Sequence, residues 1–380
     1  MGNVSSGLAA KLAKEVYVVR NEFRLKTFLS MPEFSSKGSD KNVLTAKVGS
    51  RLINARDNFG LCARGSGEYE NDLFLIFRGT TGANYGADIV TDLRTGLNVC
   101  STGSAVHSGF NHAFNSLRDQ LADFISKQSG VQTIHCIGHS LGGAVANLAA
   151  DWASSTYGKK VRLYTFGSPR VGCGAGGFSD KLTTKLKTEN IYRVFHGTDP
   201  VPMVPLFPFF HAPTVGHPCY LPYGGLVINP KAHFMDNYES SVGDKPWDEL
   251  RRPQPSFSSS ALKLWLKSDS VENAHSSTFW EKLNHAAAFV VQTVLARVAV
   301  PVVAGLTVAD YLAMILQKGL EAGAEIAGWV LFLIRKMMRM LGMKLVETAE
   351  DITTQILRLV LNRVTKKINN QVKNAISFIA

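Results

Sequence analysis

The run 133–158 leaves this chain little freedom in how it folds. Residues 133–138 are an apolar strand pattern, and the Ala- and Leu-rich residues 141–157 read as a helix stopped by Gly158. Between them stands only Gly138-His139-Ser140-Leu141-Gly142-Gly143. A strand can pass into a helix without a loop only by a sharp turn, which puts Ser140 at the tip. Gly138 and Gly142 leave space where a Cβ would collide. The helix N-terminus then brings free N–H groups and the positive end of its dipole beside the serine oxygen. The G-x-S-x-G spacing with these flanks is the strand-turn-helix elbow of serine nucleophiles.

The neighbouring segments predict the layers around that elbow. Residues 73–78 are a continuous apolar run, suited to a strand buried on both faces, and 161–166 and 190–195 are two further strands. Residues 5–19, with Leu8, Leu12 and Val16 on one face and Ser5 or Ser6 as cap, read as a helix, as do residues 105–128. Strands alternating with helices predict an α/β fold with a mostly parallel sheet. Residues 1–245 are assigned to this domain. Residues 246–275, with Arg251-Arg252-Pro253-Gln254-Pro255 and a Ser run, read as a Pro/Ser-rich linker. Residues 276–380 read as an amphipathic helical region, clearest where Ile352, Ile356, Leu359, Val364, Ile368, Val372, Ile376 and Ile379 recur near helical spacing. Its best apolar stretches are interrupted by Gln292, Arg297, Asp310 and Glu325, so none is a simple membrane span.

A serine hydroxyl needs a base to take its proton and an acid to orient that base. In elbow enzymes these follow the serine in the order acid, then histidine. The acid belongs just past a strand, which favours Asp199, in Asp199-Pro200-Val201-Pro202, over Asp180, placed like a helix cap. His196 precedes the acid and reads as a sheet-edge residue. Of His211, His217 and His233, position favours His233, at the start of a short helix, over His217 in a Pro/Gly loop. The oxyanion requires donors. One is the Leu141 backbone N–H, and the other falls to Thr80, after Phe77-Arg78-Gly79 at the end of strand 73–78.

Taken together, these residues resemble the class 3 lipases, the fungal-type triacylglycerol lipases and related phospholipases A1. The matches are Phe77-Arg78-Gly79-Thr80, Asp92-Leu93, Val106-His107-Ser108-Gly109-Phe110, Gly138 to Gly143, Phe166-Gly167-Ser168-Pro169-Arg170 and Asp199 to Pro202. They cover roughly residues 5–240. The resemblance implies an α/β-hydrolase fold and hydrolysis of lipid esters. It implies Ser140 as nucleophile, Asp199 as acid, His233 (shortly before Tyr238) as base, and Thr80 and Leu141 at the oxyanion. It also implies a lid at 81–91 and no metal or cofactor. The apolar loop 203–210 is expected to line an acyl slot, dip into a bilayer or pack in the core. The tail after 245 matches no family element, and the chemistry is expected to be complete without it.

Lys and Arg number 41 against 30 Asp and Glu, a net charge of +11. Such a chain favours anionic partners. With no zinc-finger spacing, RNP-like aromatic run or dense basic block, a membrane surface is expected rather than nucleic acid. Twelve Lys/Arg against seven Asp/Glu fall in 276–380, so interfacial helices compete there with a self-packed bundle and an oligomerisation module. The five cysteines are scattered and odd in number, so free, mostly buried thiols are expected. No stretch of signal-peptide character opens the chain, and Met1-Gly2-Asn3-Val4-Ser5-Ser6 fits a myristoylation pattern. The expected location is cytoplasmic or reached by non-classical export, with peripheral membrane association. A second reading is a membrane-active toxin or secreted effector. It resembles bacterial injected phospholipases, and implies a neutralising (immunity) partner or a homo-oligomer through the C-terminal helices. A third reading, a lipid-binding protein without activity, conflicts with the complete set of site residues.

Overall fold

A computed structural model describes residues 2–37, 41–48, 55–79, 96–174, 176–270, 273–300 and 306–377. A seven-stranded sheet runs through its centre in the order β1 (Lys41–Val48), β2 (Ala55–Arg64), β3 (Asp72–Phe77), β6 (Thr133–His139), β7 (Lys160–Phe166), β9 (Ile191–His196) and β11 (Cys219–Leu221). From β3 to β11 every neighbouring pair is parallel, whereas β1 and β2 form an antiparallel edge. The continuous apolar runs at β3 and β6 are buried along their whole length, as strands covered on both faces must be. A small second sheet joins β10 (Phe209–Phe210), β8 (Gly172–Cys173), β5 (Ala105–His107) and β4 (Leu97–Val99).

The helix expected over 105–128 spans Ser108–Ser126. Its first three expected residues are instead the strand β5. The His107 N–H donates to the Val171 carbonyl at 2.9 Å, a cross-strand partner that a helical start would forgo. The N-terminal helix is Ser6–Glu15, capped by the Ser5 hydroxyl on the Leu8 N–H, and it continues as a 3-10 turn over Val16–Arg20. The cysteines Cys62, Cys100, Cys136 and Cys219 are buried free thiols, and Cys173 is half-buried.

Residues 246–275 are not an extended tether. They carry the helices Trp247–Leu250 and Ser259–Lys267, with Trp247, Leu250, Leu262, Trp265 and Leu266 buried. The Trp247 indole donates to the Val4 carbonyl at 2.8 Å. Arg251 spreads its guanidinium over the carbonyls of Thr188, Glu189 and Ile191. Beyond lie the helices Ser277–Leu295, Val308–Glu321, Ala324–Met340 and Thr354–Ser377. They pack on one another, and their buried residues join those of the region before residue 246 in one core, with Phe110, Phe207 and Leu283 among them.

The last helix buries Leu357, Val360, Leu361, Val364, Ile368, Val372, Ala375 and Ile376, at the i, i+3, i+4 spacing of one face. Leu359, placed on the apolar stripe from sequence, is 43% exposed. The buried residues of the stripe therefore face the bundle. Among the described residues no helix is long and apolar enough to cross a membrane.

Candidate active site

Ser140 stands between β6 and the helix Leu141–Tyr157 with φ 55° and ψ −127°. A non-glycine residue in this region is strained, and the surroundings must hold it there. Its own N–H is fixed on the Phe166 carbonyl at 3.0 Å, while the N–H groups of Gly143 and Ala144 turn back to its carbonyl. A Cβ on Gly138 would strike the Gly142 carbonyl, and one on Gly142 would strike the Phe77 carbonyl. The two glycines of the motif are thus demanded by backbone packing. Leu141 opens the helix, so its N–H has no acceptor within the helix and remains available to a ligand.

His233 lies in the short 3-10 turn Pro230–His233, whose N-cap Asn229 accepts from the Lys231 N–H. Its Nε2 is 2.9 Å from Ser140 Oγ and its Nδ1 is 2.8 Å from Asp199 Oδ2. An ionised carboxylate only accepts, so Nδ1 carries the hydrogen and Nε2 is free to receive the serine proton. Asp199 follows β9 and accepts three hydrogen bonds. Oδ1 takes the Val201 N–H at 2.9 Å, and Oδ2 takes both His233 and the Tyr238 hydroxyl, the latter at 2.6 Å. Asp199 and His233 are fully buried and Ser140 is 1% exposed. Gly167, with φ 54°, passes so close that a Cβ would sit 2.8 Å from Asp199 Oδ2 and 3.0 Å from His233 Nδ1, which accounts for the glycine in Phe166-Gly167-Ser168.

The other candidates lie elsewhere. Asp180 is in the first turn of the helix Phe178–Leu186 and accepts from the Gly176 N–H at 2.6 Å. His196, the last residue of β9, donates from Nδ1 to the Ala232 carbonyl at 2.6 Å, receives Ser241 on Nε2 and stacks on Tyr238. His217 is exposed. His211 donates to the Pro202 carbonyl at 2.8 Å. Thr80 and the expected lid at 81–91 lie outside the described residues.

Two residues escaped the sequence reading. His139, inside the motif itself, donates from Nε2 to the His233 carbonyl at 2.9 Å, so its Nδ1 must accept, and the Tyr17 hydroxyl meets it at 2.6 Å. Tyr17 in turn receives the Gly79 N–H at 3.0 Å. A single polar thread thus ties the residue before Thr80 to the backbone of His233. Burial, with His233 adding to it, holds His139 well below the ordinary histidine range, and burial pushes the Tyr17 phenol up. Both are neutral at physiological pH, as the thread requires. The histidine of the motif was the available signal; nothing in the sequence around Tyr17 marks it. No group of three metal-ligating side chains occurs among the described residues.

Residues 74–209 match the family model described as Lipase (class 3). Secreted mono- and diacylglycerol lipase 1 of Fusarium solani is 37% identical over 121 residues, 30% of this chain and 35% of that protein. Secreted mono- and diacylglycerol lipase A of Penicillium camembertii is 33% identical over 137 residues, 35% of this chain and 42% of that protein. The chain thus spans well under half the length of these curated relatives. Among solved structures it resembles a lipase from Rhizopus microsporus var. chinensis, with a TM-score of 0.39 and 22% identity over 57% of this chain and 71% of that one. It also resembles the Rhizomucor miehei lipase propeptide complex, with a TM-score of 0.38 and 24% identity over 57% of this chain and 66% of that one.

Proposed function

We propose that this chain, class 3 lipase in sequence over residues 74–209, hydrolyses carboxylic esters of lipids with Ser140 as nucleophile. The observation that carries the reading is the pair of hydrogen bonds at His233, 2.9 Å to Ser140 and 2.8 Å to Asp199. In this mechanism Ser140 Oγ attacks the ester carbonyl as His233 Nε2 takes its proton. The tetrahedral oxyanion rests on the Leu141 N–H, with Thr80 as the second donor. Collapse returns the proton from His233 to the leaving alcohol and leaves an acyl group on Ser140. Water, deprotonated by His233, then attacks the acyl-enzyme and releases the fatty acid. Asp199 accepts the Nδ1 hydrogen, fixes the imidazole tautomer and stabilises the imidazolium. No metal or cofactor enters this scheme.

An apolar cavity of about 80 Å³ lies beside the loop that follows Asp199, and on this reading the side chains around it make way for the substrate's acyl chain. Phe207 and Phe209 form one side, and Leu283, Leu312, Met337 and Leu361 of the C-terminal helices form the other. On this reading the tail takes no part in bond-making but walls the acyl chain, a role the sequence did not suggest. The relatives named as mono- and diacylglycerol lipases make partial glycerides the first substrates to try. The positive charge of the chain favours their presentation on an anionic lipid surface.

The test is release of fatty acid from emulsified mono-, di- and triacylglycerols and from phospholipid vesicles, with Ser140→Ala beside the native chain. Release from at least one of these by the native chain alone is expected. Release at equal rates by both proteins overturns the reading.

A further inference from the structure

On the other side of the loop after Asp199 lies a second, larger cavity of about 460 Å³. It opens along the seam between the sheet and the C-terminal region, and Arg170, Arg193, His211, Gln254, Glu281 and Asn284 line it. Two of these side chains are buried guanidiniums. Arg170 is 4% exposed and Arg193 5%. Burying a cation is costly unless an anion accompanies it, so the partners of the two arginines decide what the cavity demands.

Arg170 is well provided. Its Nη1 donates to the carbonyls of Met203 and Pro205, and its Nη2 meets Glu281 Oε1 at 3.2 Å. Arg193 is not. Its Nη2 donates to the neutral amide of Gln254 at 2.6 Å, and its guanidinium lies 3.9 Å over the Phe195 ring. Its Nε is buried with no hydrogen-bond partner among the described residues. Among the described residues Glu281 is the one carboxylate lining the cavity; it meets Arg170 and acts on Arg193 through space, so a single negative charge serves two guanidiniums. Burial brings the Arg193 guanidinium down to about 9, so it remains charged at neutral pH. His211 adds no charge, because burial and then the two arginines hold it well below the ordinary histidine range.

We propose that this cavity is a binding site for a phosphate-class oxyanion, inorganic phosphate or a phosphate monoester, held chiefly by Arg193 and Arg170. A bound anion would supply the charge that Arg193 lacks, through the donors of its guanidinium that are not spent on Gln254. The volume exceeds what a bare ion fills, so an alcohol esterified to the phosphate has room. The inference is independent of the ester-hydrolysis reading, since it uses none of Ser140, Asp199 or His233.

Isothermal titration of the full chain with inorganic phosphate, at constant ionic strength set with chloride, tests it. One saturable site is expected, with glycerol phosphate binding at least as well and acetate more weakly. Arg193→Gln should weaken phosphate about tenfold or more, the usual weight of a hydrogen bond to a charged group. Glu281→Gln removes the competing carboxylate and should tighten it several-fold. Arg118→Gln, at the surface, should change nothing. Absence of saturable binding at millimolar phosphate, acetate binding as tightly as phosphate, or unchanged affinity in Arg193→Gln each overturns the proposal. Should Arg193→Gln fail to fold, Glu281→Gln decides alone: affinity equal to or weaker than native refutes the site.

Discussion

Tyr238 donates its hydroxyl to Asp199 Oδ2 at 2.6 Å, the same oxygen that His233 Nδ1 reaches at 2.8 Å. One carboxylate oxygen is thereby held by two donors from successive turns of the chain, and the Tyr238 oxygen is itself fixed by the His196 N–H at 3.1 Å. Tyr238→Phe leaves the ring packing in place and removes one hydrogen bond to a charged group. Such bonds are worth about 1.5–3 kcal/mol. The expected outcome is a fall in kcat on a soluble short-chain ester of about tenfold or more, with KM little changed. Steady-state kinetics beside a melting curve checks it, and unchanged kcat in a folded variant counts against this role.

The thread from Gly79 through Tyr17 and His139 to the His233 carbonyl makes a second prediction. Tyr17→Phe leaves the Gly79 N–H and His139 Nδ1 without their partner. The variant is expected to lose about 1–3 kcal/mol of stability, the cost of an unmet buried polar group, and to lose kcat as well, because the Gly79 N–H and, through His139, the His233 backbone are both tied to it. Denaturant unfolding with kinetics on the same samples separates the two effects. Loss of stability with full kcat would restrict Tyr17 to scaffolding.

The tail makes a third. From sequence, a chain ending near residue 250 should retain its chemistry, since Ser140, Asp199 and His233 all precede that point. The structure changes the expectation. Phe207, Leu283 and Leu312 belong to one buried cluster, the Phe207 N–H is held by Asn284 Oδ1 at 2.7 Å, and the last helix packs on the turn Pro230–His233. Truncation at 250 strips those contacts and exposes core. The truncated chain should unfold without a cooperative transition and show no activity; a cooperative melt near the native temperature would contradict the shared core.

Buried histidines set the acid limit of the fold. Burial lowers His107 to about 3 and depresses His139, His196 and His211. A histidine depressed in the folded state binds its proton first in the unfolded chain. Stability is therefore fully present above the unfolded value near 6.5 and is lost as pH falls below it. Each such group contributes a slope of about 1.4 kcal/mol per pH unit in that range. The melting temperature should drop steeply from pH 7 to pH 5, with net proton uptake on unfolding. Calorimetry in buffers of different ionisation enthalpy counts those protons, and a flat profile would show the histidines to be solvated.

Much of this was legible in the residues because backbone geometry forced it. The elbow around Ser140, the doubly buried strands β3 and β6, and the placement of Asp199 past β9 each follow from a local demand on glycine, on an apolar run or on chain order. Three features were not legible. Ala105–His107 looks like the start of a helix, and only its pairing with β4 and β8 makes it a strand. The stretch 246–275 looks like a linker, because nothing local announces that Trp247 will reach the Val4 carbonyl. The amphipathic pattern of 354–377 gives an apolar face but not what covers it: membrane, partner and self-packing write the same periodicity.

The most direct measurement is covalent labelling of the full chain with a p-nitrophenyl alkylphosphonate, which mimics the tetrahedral intermediate. Serine attack at phosphorus expels p-nitrophenolate and leaves the phosphonate on the protein. The account predicts one phosphonate per chain, mapped by mass spectrometry to Ser140, with matching release of p-nitrophenolate. It also predicts no label in Ser140→Ala and labelling slowed by orders of magnitude in His233→Ala. Label on another residue, or undiminished labelling when His233 is removed, would contradict it.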